Sequence, residues 1–182
     1  MDTLGLVESG SIAAGVELAD FMLKAAEVEL VRASTICSGR YMIYISGERD
    51  AVERSVNVAL ESGRTLAGSF VLSNISPQVI AVLKKGEEPD PGDAIGVIEC
   101  RTVSSGIAAA DSAVKRAVVR LVRLVAGQGI NGKSYFVISG DVASVTEAVE
   151  AAKEVLEQKV IETVVLPRPE IAVVRAVTGA GR

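Results

Sequence analysis

Apolar and polar positions along this chain change period in a regular order. Gly5 to Glu8 is a short apolar run that reads as a strand. From Ser11 to Ala26 apolar residues recur at helical spacing, which predicts a helix with Ser11 at its N-cap. Asp20 and Lys24 stand four residues apart on one face of that helix. Val28 to Ile36 and Tyr41 to Ile45 alternate, as a half-buried antiparallel pair does. Ala51 to Glu61 is helical again, and Phe70 to Leu72 completes the sheet.

The pattern then repeats. With a constant offset of 91, residues 4 to 33 lie over a second segment without a gap. Gly5, Glu8, Gly15, Ala19, Asp20, Lys24, Ala26, Val28, Leu30, Val31 and Arg32 recur as Gly96, Glu99, Gly106, Ala110, Asp111, Lys115, Ala117, Val119, Leu121, Val122 and Arg123. The offset becomes 93 where Gly39-Arg40 lies over Gly132-Lys133 and Ile45-Ser46-Gly47-Glu48 over Ile138-Ser139-Gly140-Asp141. The second copy therefore carries two extra residues between its second and third strands. The charged, Pro- and Gly-bearing stretch from Lys84 to Gly92 reads as a linker. The expected organisation is a first domain over 1–85, a linker over 86–92 and a second domain over 93–182. Each copy has the order β-α-β-β-α-β, an α+β, split βαβ or ferredoxin-like arrangement that by itself defines no function.

Composition narrows the chemistry. The chain has 182 residues, 49% hydrophobic and 23% charged, enough to form a core. Its net charge of -4 gives no basic stripe for nucleic acid. Aromatics are only 3%, too few for base-stacking platforms. Histidine is absent, which excludes a Ser-His-Asp triad, a Cys-His dyad and a His-ligated zinc. No converging catalytic set is visible, so an enzyme is not expected. Two cysteines, Cys37 and Cys100, are too few for a disulfide framework. The N-terminus shows no secretory signal, and no apolar run reaches the ~20 residues that span a bilayer. The expectation is a soluble, cytosolic protein, without a membrane or nucleic-acid partner.

Gly5-Leu6-Val7-Glu8, then Ala19-Asp20-x-x-x-Lys24-Ala25-Ala26-x-Val28-x-Leu30-Val31, then a Ser-Gly turn before a strand, resemble the bacterial microcompartment (BMC) shell domain. Leu166-Pro167-Arg168-Pro169 in the second copy is similar to the Pro-Arg-Pro ending of that family; the first copy departs from it with Leu72-Ser73-Asn74-Ile75-Ser76-Pro77. Thr35-Ile36-Cys37-Ser38-Gly39-Arg40-Tyr41 and Gly127-Gln128-Gly129-Ile130-Asn131-Gly132-Lys133 resemble tandem-domain members of the propanediol-utilisation type. The resemblance implies a homotrimer forming a pseudohexagonal tile, joined edge to edge with other shell proteins in a cytoplasmic microcompartment. It implies a central pore lined by Ile36, Cys37, Ser38 and Gly39, with Cys37 at the threefold axis where similar proteins hold an iron–sulfur cluster. It also implies tile-edge roles for Lys24, Lys115 and Arg168.

One cysteine per chain is a poor ligand set, but threefold symmetry delivers three to one point. Three Cys37 thiolates would hold three irons of a [4Fe–4S] cluster, one per trimer, leaving the fourth iron to an outside ligand. Such a site suits electron transfer across the shell or cluster delivery, with a redox enzyme of the lumen as a further partner. Other readings stay open. A lone Cys is commonly a small buried hydrophobe, and Cys100 reads that way. Lys24 and Lys115 fit solvated helix ends with i,i+4 partners. Arg168, between two prolines, is expected to be extended, either inserted at an edge or solvated. The loop Gly127–Gly132 lacks phosphate-loop spacing and reads as a flexible pore or rim loop. A plain metabolite pore without a cluster is the alternative for the tile. A trimeric ferredoxin-like regulator binding an effector between subunits is the alternative of another class.

Overall fold

The structure is a computed structural model that describes residues 2–37, 39–85 and 92–179. Ser38 of the expected pore lining and residues 86–91 of the expected linker lie outside the described residues. The chain divides into two compact units, Met1–Ile80 and Ala81–Arg182.

Unit 1 runs β1 (Thr3–Ser9), α1 (Ile12–Ala25), β2 (Glu29–Thr35), β3 (Tyr41–Gly47), α2 (Arg49–Glu61) and β4 (Leu66–Leu72). Its sheet order is β2-β3-β1-β4, with every neighbouring pair antiparallel. This is the expected split βαβ arrangement. Strand alternation puts Gly5 and Val7 on the face that α1 and α2 cover. There Val7, Leu18, Met22, Ile43, Ile45, Val52 and Val56 form the core. Leu4 and Leu6 on the opposite face are buried as well. β1 is thus apolar on both sides, and the short run Gly5–Glu8 extends by two residues toward Thr3 and one toward Ser9.

A further helix, α3 (Pro77–Lys85), follows β4 and crosses the boundary of the units. Unit 2 then runs β5 (Ala94–Cys100), α4 (Val103–Arg116), β6 (Arg120–Ala126), β7 (Ser134–Gly140), α5 (Val142–Leu156), a 3-10 turn Glu157–Lys159, β8 (Val160–Pro167) and α6 (Ile171–Thr178). The sheet order β6-β7-β5-β8 copies that of unit 1. The repeat extends to irregularities: the register slips between Leu30 and Arg32 and again between Leu121 and Arg123. Ile95 and Val137 meet Val174 of α6 on the face away from α4 and α5.

Helices α3 and α6 were absent from the expected order. Both are short and start at or just after a proline, at Pro77 and Pro169, so Pro and Gly punctuation masked them. α3 also takes Lys84 and Lys85 out of the charged linker stretch. No helix among the described residues is long and apolar enough to cross a membrane.

Candidate functional site

The Cys37 hairpin grows from the pairing of Thr35 with Tyr41, the last rung of β2 against β3. The Ile36 N–H donates to the Arg40 carbonyl at 3.0 Å and closes the loop. Ile36 is buried, which ties the base of the hairpin down. Cys37 is half-buried in the turn. Gly39 is exposed at φ +74, and a Cβ there would meet nothing within 4 Å. Its left-handed backbone, not lack of space, is what favours glycine.

One ion pair anchors this hairpin, and its repeat copy anchors the matching hairpin of unit 2. Arg40 Nη1 lies 2.5 Å from Glu8 Oε1, joining the hairpin to β1. In unit 2 the repeat-equivalent Lys133 Nζ lies 3.2 Å from Glu99 Oε1. Sequence alignment matched all four positions without pairing them. The signal was present: opposite charges were kept at both places although Arg40 became Lys133.

The matching hairpin of unit 2 starts from the Ala126–Ser134 rung and is two residues longer, as the change of offset required. The Gly127 N–H donates to the Lys133 carbonyl at 3.0 Å. Gly127, Gly129, Asn131 and Gly132 all take positive φ, between 53 and 82. The loop carries no cysteine.

Cys100 is a different case. It is fully buried, with Sγ 3.1 Å from Ser134 Oγ and donating to the Ser134 carbonyl at 3.4 Å. Burial pushes its thiol up, against a smaller opposing effect of the Ser134 hydrogen bond. α4 passes so close that a Cβ on Gly106 would sit 2.1 Å from Ser134 Oγ. Cys100 fits its packing role, and neither cysteine is in a disulfide.

At the expected edge positions, Lys24 Nζ meets Asp20 Oδ2 at 2.6 Å and Lys115 Nζ meets Asp111 Oδ2 at 2.6 Å. The environments differ: Asp20 is exposed and Asp111 is buried. Arg168 is exposed, but its backbone is not extended. Its φ is +47, a left-handed turn, and its N–H donates to the Asp93 carbonyl at 2.7 Å. The repeat explains the left-handed turn. The equivalent Asn74 also turns left-handed, at φ 54, and there Ile75 N–H donates to the Asp2 carbonyl at 2.7 Å. Pro169 replaces Ile75 and has no N–H, so the bond to β5's leading residue comes from Arg168 instead. That tertiary bond outweighs the extended preference of a residue before proline. Ser11 occupies the N-cap position of α1, but its side chain makes no capping bond; Thr102 of α4 does, accepting from the Ser105 N–H.

Among the described residues of one chain, no three His, Cys, Asp or Glu side chains are grouped so that they could hold a metal ion. A cysteine in a half-buried turn is a residue type that, once deprotonated, ligates iron–sulfur clusters, and each chain offers one such cysteine in a turn.

The family described as BMC domain matches residues 3–79 and 94–169, one match in each unit. The chain belongs to the BMC domain family and carries the domain twice in tandem. It is 38% identical over 169 residues to the bacterial microcompartment shell protein PduT of Citrobacter freundii, covering 91% of this chain and 92% of that protein. The carboxysome shell protein CcmK2 of Synechococcus elongatus is 41% identical over 71 residues, 39% of this chain and 70% of its own. The crystal structure of a microcompartment protein from Desulfitobacterium hafniense DCB superposes with a TM-score of 0.91 at 38% identity, covering 96% of this chain and 99% of that one.

Proposed function

We propose that this chain, a structural shell protein of a bacterial microcompartment and not an enzyme, works as a homotrimeric tile whose central pore holds a [4Fe–4S] cluster on three Cys37 thiolates. The observation that carries the tile is the tandem repeat: three chains of two like units give six similar edges, which suits a closed, pseudohexagonal ring. Tiles meet edge to edge with other shell proteins, in a shell assembled in the cytoplasm. The observation that favours the cluster is the inequality of the two hairpins. Only the shorter one, closed by the Ile36–Arg40 bond, carries a cysteine, so a trimer offers three thiolates and not six.

A cluster bound there supplies one-electron chemistry or is itself delivered to a lumen redox enzyme. The chain's own contribution is to fix the thiol. Buried Ile36 and the Glu8–Arg40 pair hold the hairpin base, and exposed Gly39 gives the turn its left-handed step beside Cys37, where it would line the pore.

Sedimentation of the full chain tests the tile. A mass of three chains at low concentration, passing into sheets as concentration rises, is expected. Trimers that stay discrete at all concentrations and bind a small effector would overturn the tile in favour of a regulator.

A further inference from the structure

The hairpin that carries Cys37 holds a charge pair at its root. The Ile36 N–H donates to the Arg40 carbonyl at 3.0 Å, so Cys37 and Arg40 belong to one closed turn. The Arg40 guanidinium leaves that turn for β1, where Nη1 meets Glu8 Oε1 at 2.5 Å. Arg40 is thus tied twice, by its backbone to the cysteine turn and by its side chain to a central strand of the sheet.

Unit 2 makes the same connection without a cysteine. Lys133 Nζ meets Glu99 Oε1 at 3.2 Å at the root of its own hairpin. Anchoring a hairpin of this fold therefore needs opposite charges but not arginine. In the cysteine hairpin the pair is closer and its carboxylate deeper: the Glu8 side chain is 19% exposed, that of Glu99 38%. Charges in such partly buried surroundings are screened less than in open water.

A cluster on three thiolates is anionic and gains a further negative charge on reduction, so the charges near its ligands help to set its potential. Arg40 favours the reduced form, and Glu8 opposes it. Threefold symmetry places three such pairs around one cluster, so a single substitution acts three times. We infer that the Arg40–Glu8 pair positions the Cys37 turn and, through its two opposed charges, sets the reduction potential of the cluster. Both are positioning residues, acting through the turn and through space. This rests on the cluster reading and adds to it the control of potential.

The test uses the full-length trimer, purified or reconstituted without oxygen. Iron content and the midpoint potential from a mediated electrochemical titration are the readouts. Arg40→Gln is expected to shift the potential down and Glu8→Gln to shift it up, each at full iron content. Arg40→Lys is expected to keep the wild-type value, because unit 2 shows lysine making this pair. Both shifts should shrink as salt is raised, since the pair is half-exposed. Shifts of one sign would report a looser hairpin, and no shift at full iron content would leave the pair an anchor only; either result overturns the inference. Should Arg40→Gln fail to load iron, Glu8→Gln must still shift the potential up and Arg40→Lys leave it in place, or the inference falls. Wild-type trimer that stays free of iron after reconstitution sinks the cluster reading, and this inference with it, before any variant is made.

Discussion

Glu157 shows what the repeat reveals one residue at a time. It follows α5 at φ 50 and ψ −120, a backbone region that side-chain-bearing residues rarely adopt. Its repeat partner after α2 is Gly63, at φ 73. Glycine takes such a turn without strain, so Glu157→Gly is expected to raise stability by about 1 kcal/mol in denaturant unfolding. An unchanged or lower midpoint would mean that the Glu157 side chain contributes more than its backbone costs. Ser55 is a second case. Its hydroxyl is fully buried in α2 without a hydrogen-bond partner, where α5 has the fully buried Ala148. Ser55→Ala is expected to stabilise the chain by about 1 kcal/mol, since it removes an unsatisfied polar group at little cost in volume. The identities of both pairs stand in the sequence. The backbone turn at Glu157 and the missing partner at Ser55 do not, because each depends on the surrounding structure.

The elements themselves were mostly written in the periodicity. Eight strands and the four long helices follow from apolar spacing, and the doubled pattern places them twice. α3 and α6 did not follow, because eight or nine residues after a proline give too short a period to separate from a turn. Tertiary pairings such as Glu8–Arg40, 32 residues apart in sequence, are likewise invisible to local pattern. That clamp makes an element-scale prediction. Arg40→Gln and Glu8→Gln should each cost up to about 1 kcal/mol, with the double little worse than either, because the pair is half-exposed and acts as one contact. Additive losses would show that the two side chains act independently. The start of α5 gives a pH dependence. The Ser144 N–H, and next its hydroxyl, hold the Asp141 carboxyl below its ordinary value. A lowered folded-state value contributes stability above the ordinary carboxylate range and loses it as pH falls through the folded-state value. Asp141→Asn keeps a capping oxygen and removes the titration, so the acid limb of a stability–pH curve should become shallower. A limb of unchanged slope would assign acid sensitivity to other carboxylates.

At the scale of the whole molecule, the chain is a pair of BMC domains, and tandem duplication is what makes a threefold assembly with six similar edges available. The same duplication allows departures from sixfold equivalence. One hairpin carries Cys37 and the other is two residues longer with four left-handed residues. The repeat and the lone Cys37 were legible from sequence. The pairing of Glu8 with Arg40 was not, because its two sides come from separated segments of the chain.

The central claim is that three Cys37 thiolates of one trimer hold one cluster. Iron and acid-labile sulfide, with the visible spectrum, measured on full-length protein purified without oxygen beside Cys37→Ser, test it most directly. The account predicts brown protein with about four irons per trimer, and a colourless Cys37→Ser variant whose sedimentation still gives three chains. Wild-type protein that is colourless and stays so after cluster reconstitution would contradict it, and would leave a tile with a plain pore.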